Sequence, residues 1–481
     1  METIEPDYLV CGAGAMGMAF VDTLVSDTTA TIAIVDRYAQ PGGHWTRAYP
    51  FVHLHHSSVF YGVNSRILGD QKTDVVGWNK GNSTMAPGLE VRAYYTNVMH
   101  STFLPSGRVT YYPMHEYTGN GEFRSLLTSK TYHVGEKTKI VDATYMNVEV
   151  PSMRPPPYKI SNEVEVIAPN NLPDIQRPYA GYTVVGSGKT SIDSCLWLLA
   201  NGIDPAHITW IRPRDMWCFD RAIMQPPDRF RDQNVAASMA TGEAIMSATS
   251  IDDMWLRLEK AGVMLRVDEH AKPTMWRCAT ISVLELEQLK RIKNVVRKGR
   301  LRGVSNDQVT LESGSYTPVA DSIYIDCSAN SIPKQPSVPI FNGRHITLQP
   351  VRACQQVFSA AVIAHIEATY DDEKFKNDLT TPIPHPEHPD EYPGQRLQTL
   401  RNEIGWRTQP KTAAFVANSR LDVVGAMNPL PPSDPREREK FQAVVAAAFA
   451  AQMEKLEMLA RSDSDREHSI GQKSEMAEAR L

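Results

Sequence analysis

Three glycines near the N-terminus, Gly12, Gly14 and Gly17, have the spacing that lets a backbone turn bind a pyrophosphate. An apolar run at 7–11 leads into them, a helical apolar pattern follows, and a second apolar run ends at Asp36. In such a unit the first glycine permits the tight turn, the second admits the phosphate, and the third lets helix and strand pack closely. The helix N-terminus faces the anion, and the terminal carboxylate can accept hydrogen bonds from ribose hydroxyls. The pattern predicts a dinucleotide site; the alternative is a glycine-rich turn in some other α/β protein.

A second turn of this kind follows the apolar strand at 181–185, with Gly186 and Gly188 and with Ser191 in the third position. The next apolar run ends in Arg212 and Arg214 where the first unit has an acid. A guanidinium can pair bidentately with a 2′-phosphate, which a carboxylate would repel, so this unit favours NADPH over NADH. The alternative is a vestigial unit whose arginines are ordinary surface charges.

The residues Gly188, Lys189 and Thr190 also resemble the end of a phosphate-binding P-loop. That motif requires a glycine five residues before Gly188, where this chain has Thr183, so the P-loop interpretation fails.

Bulk composition narrows the functional classes. With 481 residues the chain is long enough for two or three domains, and a net charge of −5 gives no reason to expect nucleic acid as a partner. No apolar run reaches the roughly 18 residues that span a bilayer, and the acidic N-terminus indicates no secretory signal. The six cysteines form no C-x-x-C pair, which argues against a dithiol redox centre and favours a reducing compartment. They are Cys11, Cys195, Cys218, Cys278, Cys327 and Cys354.

The order of these patterns predicts an α/β fold with two Rossmann-like dinucleotide-binding domains, the NADP domain inserted into the first one, plus a C-terminal helical extension. A helix is expected at 283–296, and a buried strand at 322–326 is expected to return the chain to the first domain. A packing helix is expected at 441–459, followed by a charged, disordered tail. The predicted divisions are 1–175 and 306–375 for the first domain, 176–305 for the second, and 376–481 for the extension.

These motifs, in this order, resemble the class B flavoprotein monooxygenases, which include the flavin-containing and Baeyer–Villiger monooxygenases. The resemblance covers about residues 5–370. The residues that carry it are Gly12, Gly14, Gly17, Asp36, Pro41, Gly42, Gly43, His44, Trp45, Tyr49, Pro50, Gly186, Gly188, Trp210 and Arg212.

The resemblance implies FAD and NADPH as cofactors. Gly42, Gly43 and Trp45 would line the FAD site, residues 328–331 would close over it, and 349–361 would be the last flavin-binding stretch. The cofactor-binding residues expected on these grounds are Gly12, Gly14, Gly17, Asp36, Arg37, Gly43, His44, Trp45, Gly186, Gly188, Lys189, Thr190, Arg212, Arg214, Ala329 and Gln349.

The chain departs from this family at two places. Residues 160–181 contain nothing like the linker fingerprint F-x-G-x-x-x-H, and the late A-T-G-Y element is replaced at 326–330 by Asp-Cys-Ser-Ala-Asn. The fold therefore transfers better than the monooxygenase reaction.

Two residues are candidates for catalysis. His55 lies where Baeyer–Villiger enzymes have a carboxylate near the flavin, and a histidine there could exchange a proton near neutral pH. Arg277 lies where the resembled enzymes present a basic residue to a peroxyflavin. A metal site at His53, His55 and His56 lacks a completing Cys or Asp, and these histidines could also be ordinary polar residues.

The resemblance implies a small-molecule monooxygenase in which NADPH reduces FAD and O2 adds at flavin C4a. The alternatives are an FAD-dependent dehydrogenase or oxidase that does not use NADPH, and a redox-inactive flavin-binding protein. The substrate cannot be inferred from the sequence. A cytoplasmic location is expected, with a peroxisomal one as the alternative because Ala479, Arg480 and Leu481 resemble the S-K-L address.

Overall fold

A computed structural model describes the backbone of residues 2–478 and the side chains of residues 2–461. The helices are α1 (Ala15–Asp27), α2 (Gly88–Val98), α3 (Lys189–Ala200), α4 (Pro227–Ser247), α5 (Ile251–Lys260), α6 (Val283–Leu289), α7 (Gln356–Thr369), α8 (Glu373–Leu379), α9 (Tyr392–Arg407), α10 (Pro410–Asn418), α11 (Val423–Ala426) and α12 (Pro435–Glu478). The strands are β1 (Glu2–Ile4), β2 (Tyr8–Cys11), β3 (Ile32–Asp36), β4 (Val109–Pro113), β5 (His115–Gly119), β6 (Glu122–Ser125), β7 (Thr131–Val134), β8 (Lys139–Asp142), β9 (Lys159–Ile160), β10 (Glu165–Ile167), β11 (Gly181–Val185), β12 (Ile208–Ile211), β13 (Met216–Asp220), β14 (Met264–Leu265), β15 (Met275–Ile281), β16 (Asn294–Val296), β17 (Leu301–Val304), β18 (Val309–Leu311), β19 (Gly314–Tyr316), β20 (Ser322–Asp326), β21 (Phe341–Asn342) and β22 (His345–Thr347).

The first sheet has six strands in the order β21-β22-β8-β2-β3-β4, parallel except for the short β21. Its central strand β2 has apolar residues on both faces because helices cover the sheet, as parallel sheets require. The helices α1 and α7 pack against each other in the main apolar core. The sheet thus places the end of β2 and the start of α1 at one edge, where the first glycine turn lies.

The second sheet has five parallel strands in the order β10-β20-β11-β12-β16. Its central strand β11 is fully buried and leads into α3 through the second glycine turn. Two smaller sheets, β14-β13-β15 and β19-β18-β17-β9, flank it. The predicted α/β architecture with two dinucleotide-binding units is therefore observed.

Two expectations about the inserted unit were wrong. Residues 322–326 form β20, which pairs with β10 and β11 in the second sheet, so the chain rejoins the first sheet only at β21 and β22. The helix expected at 283–296 ends at Leu289, and 294–296 form the edge strand β16, where two β-branched valines pair with β12. Tertiary pairing overrode the helical spacing here. The remaining domain limits stay predictions.

The chain leaves the first unit and returns to it through two segments that contact each other. Glu149 donates its backbone N–H to the carbonyl of Ser331 at 2.8 Å. Arg154 pairs with Glu149 at 2.7 Å and donates to the Ser328 hydroxyl at 3.4 Å. The strand expected at 147–150 is reduced to this single bridge, whereas β4, β8 and β10 form as expected.

The C-terminal region is helical and packs on both units. α10 packs on α7 and α9, and α12 packs on α9 and α4. The segment expected as a linker or ordered loop at 382–393 is ordered, since its Glu387 carbonyl accepts the backbone N–H of Trp276. The helix α12 contains the expected helix at 441–459 and continues to Glu478; the disorder expected for the tail stays a prediction. Residues 479–481, and with them the peroxisomal expectation, lie outside the described residues.

None of the helices described between residues 2 and 478 is long and apolar enough to cross a membrane.

Candidate cofactor site

The first glycine turn is built so that only glycine fits at two of its positions. Gly12 has a φ of +106°, which L side chains rarely adopt. A Cβ on Gly17 would lie 2.0 Å from the Gly12 carbonyl oxygen, so this glycine allows α1 to touch the turn. The N-cap of α1, Gly14, provides no side-chain cap, which leaves the first-turn N–H groups available to an anion.

Asp36 closes this turn from the end of β3. Its carboxylate accepts the backbone N–H of Ala13 at 2.6 Å and that of Tyr38 at 2.7 Å. Burial raises the pKa of Asp36, and the two N–H donors oppose that rise. The carboxylate is thereby fixed beside the turn, where it could also accept a ribose hydroxyl.

The segment with the paired glycines lies directly over the first turn. Gly42 and Gly43 have φ values of +123° and +56°, and a Cβ on Gly43 would lie 3.0 Å from the Cα of Gly14. Trp45 is buried and donates its indole N–H to the Tyr61 hydroxyl at 2.8 Å. Two backbone segments therefore approach each other here with no side chain between them.

The second glycine turn repeats the arrangement at the carboxyl end of β11. Gly186 has a φ of +135°, and its Cβ would lie 2.6 Å from the carbonyl oxygen of Cys327. Gly188 is the uncapped N-cap of α3, and a Cβ there would meet nothing within 4 Å. In the first turn of α3 Lys189 pairs with Asp193, which also accepts the Tyr49 hydroxyl at 2.7 Å. Tyr49 thus links the first unit to the second helix N-terminus.

Both turns open into one cavity of about 1240 Å³ between the two units. The start of α1 lines one part of it and the start of α3 another. The predicted site residues that line it are Gly12, Gly14, Asp36, Arg37, Gly43, His44, Trp45, His55, Gly188, Lys189, Thr190, Arg277 and Ala329. Those that do not are Gly17, Gly186, Arg212, Arg214 and Gln349. Gly17 and Gly186 instead have the packing roles described above.

The two arginines expected at a 2′-phosphate are engaged within the protein. The Arg212 guanidinium pairs with Asp215 at 2.7 Å and lies over the Trp210 ring; its side chain is 3% exposed. Its Nε and Nη1 have no hydrogen-bond partner among the described residues. Arg214 pairs with Glu387. The assignment of both arginines to NADPH stays a prediction.

Gln349 does not face the cavity. Its side-chain amide donates to the Val338 carbonyl at 2.8 Å and accepts the Val338 N–H at 3.3 Å. The side chain thus holds the loop before β21, and the cofactor role expected of Gln349 stays a prediction. Gln355, the N-cap of α7, lines the cavity with a buried Oε1 that has no partner among the described residues.

His55 lies in the cavity wall as a neutral imidazole. Burial lowers the pKa of His55 well below its ordinary value of 6.5, and His56, Lys189 and Arg221 lower it further. Its Nδ1 accepts the backbone N–H of Thr280 at 3.2 Å. The proton is therefore on Nε2. His55 can donate a hydrogen bond from Nε2, and its assignment to catalysis stays a prediction.

Arg277 also lines the cavity, at the end of a short network. It donates to the Asn330 side chain at 2.8 Å and to the Ile332 carbonyl at 2.6 Å, and it pairs with Glu387 at 3.3 Å. Glu387 joins Arg277 to Arg214, so the loop at 382–393 fixes both guanidinium groups.

Comparison with known proteins places the chain among mycobacterial relatives. It is 48% identical over 439 residues to "Uncharacterized protein Rv2000" of Mycobacterium tuberculosis and to "Uncharacterized protein Mb2023" of Mycobacterium bovis, over 91% of this chain and 81% of each relative. The chain belongs to this family. No protein-family model matches it.

Several solved structures are similar in overall architecture. Cyclohexanone monooxygenase with bound cyclohexanone has a TM-score of 0.47 at 12% identity, over 96% of this chain and 98% of that one. A flavin monooxygenase mutant from Stenotrophomonas maltophilia has a TM-score of 0.43 at 13% identity, over 76% and 98%. Oxidised steroid monooxygenase bound to NADP has a TM-score of 0.46 at 12% identity, over 76% and 85%.

Sequence reasoning missed cavity residues that come from distant segments of the chain. His385 lines the cavity with a buried Nδ1 that lacks a partner among the described residues, and burial lowers its pKa to about 4. Cys278 and Cys354 lie together in the cavity wall although 76 residues separate them. The only signal for His385 was the histidine-rich segment around it; nothing in the spacing pointed to the cysteines. Among the described residues, no group of three or more His, Cys, Asp or Glu could hold a metal.

Acidification is expected to destabilise the protein through its cavity histidines. Burial lowers the pKa of His44 and of His385 to about 4, and it lowers the pKa of His55 and His56 as well. Below pH 6.5 the unfolded chain binds protons at these sites that the folded chain does not. Stability is therefore complete above about pH 6.5 and is lost as the pH falls toward about 4, by at most about 1.4 kcal/mol per pH unit for each histidine. Contact with cavity water reduces this figure.

Urea unfolding at a series of pH values measures this slope. His44→Gln should flatten it, whereas His53→Gln, at an exposed position, should leave it unchanged. Equal slopes for both variants and the unmodified chain would contradict the expectation.

Proposed function

We propose that this protein is an FAD-dependent oxidoreductase that takes electrons from NADPH and oxygenates a small organic molecule. The observation that carries the proposal is that two uncapped helix N-termini, each behind a glycine turn, open into one cavity. Each offers backbone N–H groups and a helix dipole to a pyrophosphate. A single cavity that serves both is what electron transfer between two dinucleotides requires, because their reactive rings must meet.

The residues present fit FAD in the first half of the cavity. The turn at Gly12 and Gly14 would hold the pyrophosphate, and Asp36 would accept the ribose hydroxyls. The approach of Gly43 to Gly14 excludes side chains where the cofactor must pass, and Trp45 closes the wall. When bound, the flavin supplies two-electron transfer and, in its reduced form, reaction with O2.

The residues of the second half fit a nicotinamide dinucleotide. The start of α3 would hold its pyrophosphate, and the Lys189–Asp193–Tyr49 chain fixes that helix tip against the first unit. His55, neutral with its proton on Nε2, can donate one hydrogen bond where the two halves meet. These side chains would position a nicotinamide dinucleotide beside the first half of the cavity.

One stretch of the cavity wall is apolar and suits an organic substrate. Met224, Met239 and Met246 line it together with Phe449 of α12. Methionine side chains adapt to irregular apolar shapes, so this wall can accommodate a ligand without polar recognition. The substrate proposed is accordingly a small apolar molecule.

An FAD enzyme that does not use NADPH is the second candidate, and one observation favours it. Arg212 and Arg214 are both paired with carboxylates, Asp215 and Glu387. A 2′-phosphate would have to bind the two unused donors of Arg212 or displace Glu387 from Arg214.

The absorption spectrum of the purified protein, with NADPH or NADH then added without oxygen, tests the proposal. Bound flavin that is bleached faster by NADPH than by NADH is the expected result. Arg212→Ala should remove that preference, and Arg302→Ala, an exposed arginine paired with Glu312 on β17, should not. Flavin that neither nucleotide bleaches would favour the second candidate. Flavin that no donor reduces would indicate a structural role, and protein unable to bind flavin would refute the proposal.

Arg277→Ala is expected to increase the fraction of reduced flavin that yields hydrogen peroxide instead of oxygenated product. The variant removes a positive charge from the cavity wall and frees Asn330 and Ile332. Comparing peroxide formed with NADPH consumed measures this coupling, with Arg277→Lys as the control that keeps the charge. An unchanged ratio in Arg277→Ala would remove Arg277 from the reaction.

A further inference from the structure

Cys278 and Cys354 bring together two segments that are far apart in the sequence. Cys278 lies on β15 of the inserted unit, and Cys354 lies just before α7, which packs on the first unit. Their Cα atoms are 6.2 Å apart, and the two residues are joined as a disulfide. This separation is within the usual range for a disulfide. The bridge therefore joins the two units across the cavity wall.

Both cysteines have an unusual backbone conformation. The φ of Cys278 is +56° and that of Cys354 is +61°, in the left-handed region that non-glycine residues seldom adopt. The pairing of β13 with β15 shifts register between Trp217 and Phe219, opposite the position of Cys278. Backbone conformations of this kind persist where the surrounding structure fixes them, and they concentrate at functional sites. Because both cysteines have a left-handed backbone conformation, this pair differs from ordinary core residues.

The pair differs from the other cysteines in exposure, since Cys11 and Cys327 also line the cavity but are buried thiols. Cys11, Cys195 and Cys218 are buried, and burial raises the pKa of each thiol, which keeps them unreactive. Cys278 and Cys354 both line the cavity, and Cys354 is only partly buried. Cys354 also lies two residues before the start of the fourteen-residue helix α7, where the helix dipole favours a thiolate.

We propose that Cys278 and Cys354 form a redox-active dithiol–disulfide site that exchanges with low-molecular-weight thiols and disulfides entering the cavity. In the reduced pair, the Cys354 thiolate attacks one sulfur of a small disulfide, which forms a mixed disulfide on Cys354 and releases one thiolate. Cys278, after losing its proton to solvent, attacks Sγ of Cys354, which forms the protein disulfide and releases the second thiolate. The protein loses two electrons, and the small disulfide gains them as two thiols. The reverse sequence reduces the pair at the expense of two small thiols.

This site does not depend on the proposed flavin chemistry, since the exchange itself needs no other cofactor. The sequence has no C-x-x-C motif, which argued against a dithiol centre. The fold nevertheless brings Cys278 and Cys354 close together.

Equilibration of the full-length protein in buffers of reduced and oxidised glutathione tests the proposal. After acid quenching and alkylation, peptide mass spectrometry reports the state of each cysteine. The expected result is that Cys278 and Cys354 convert together and reversibly between disulfide and dithiol, while Cys195 and Cys218 stay thiols throughout. A pair that stays as two thiols in the most oxidising buffer, or that never opens in the most reducing one, would overturn it.

A trapping variant locates the attacking sulfur. Cys278→Ser should accumulate glutathione on Cys354 at about ten times the level found on any other cysteine, because the second step is blocked. Cys218→Ser, at a buried thiol outside the cavity, is the matched control and should behave as the unmodified chain. Absence of glutathione on Cys354 in folded Cys278→Ser would refute the exchange mechanism. If Cys278→Ser fails to fold, the equilibration of the unmodified protein in glutathione buffers still tests the proposal.

Discussion

Replacing Gly17 by alanine is expected to abolish flavin binding and to destabilise the first unit by about 3 kcal/mol or more, at the upper end of overpacking costs. The new Cβ would lie 2.0 Å from the Gly12 carbonyl oxygen and 3.1 Å from the Cβ of Ala143. Both contacts involve backbone or a side chain fixed directly on it, so neither can move without separating α1 from β2 and β8. That separation would also turn the α1 N-terminus away from the cavity.

Visible flavin absorbance after reconstitution and urea unfolding measure the two effects. Gly394→Ala is the matched control, because Gly394 lies inside α9 and its Cβ would meet nothing within 4 Å. In a helix interior this change is expected to be neutral or to stabilise by about 0.5–1 kcal/mol. Normal flavin content in Gly17→Ala would show that the turn does not have the role assigned to it.

Replacing Glu285 by glutamine is expected to lower the free energy of unfolding by about 3–5 kcal/mol, because it leaves Arg221 as a buried charge without a counter-ion. The Arg221 side chain is fully buried and pairs with Glu285 at 2.7 Å. It also donates to the His55 carbonyl at 2.9 Å and to Asn79 at 3.0 Å. The same carboxylate accepts the Ser282 N–H at the start of α6, so the substitution weakens a helix cap as well.

Thermal and urea unfolding give the loss, and the position of His55 can be followed by the nitrogen chemical shifts of its ring. The control is Asp378→Asn, which breaks the exposed Lys374–Asp378 pair and should produce no measurable change. A Glu285→Gln protein as stable as the unmodified chain would mean that Arg221 gains other partners or solvent.

The local units of the fold were predictable because their determinants are local. An apolar strand, a glycine turn and an apolar helix occur within about thirty residues at 8–36 and again at 181–211. The glycines at 12, 17 and 186 are required by backbone geometry that the motif encodes directly. The strands and helices of these two units begin and end within a few residues of the predicted limits.

The assembly of these units was less predictable because it depends on long-range pairing. Residues 322–326 have the apolar pattern of a buried strand, which could pair in either sheet. In the structure this strand pairs with β11 and therefore belongs to the second sheet. The apolar spacing at 283–296 predicted one helix, but the helix ends at Leu289. Residues 294–296 are extended because they pair with β12.

The candidate site shows the same division. Residues within the glycine motifs were found, whereas His385, Gln355 and the Cys278–Cys354 pair come from segments with no shared pattern. The pairing of Arg212 with Asp215 was within three residues and could have been considered, but the contact of Arg214 with Glu387 spans 173 positions. The sequence shows which residues are charged, but it does not show which oppositely charged residues they contact.

The hydrogen bond between Glu149 and Ser331 has a consequence for how this chain can be divided. The outgoing and returning segments meet there, so one short glycine–serine linker could replace everything between them. The six strands of the first sheet and helices α1 and α7 would all remain in such a shortened protein. A domain tolerates an inserted unit when the two ends of the insertion lie close together, because its own structure need not change. For the same reason such a unit can be removed and its two ends joined. The inserted unit could in that sense be removed by a single excision.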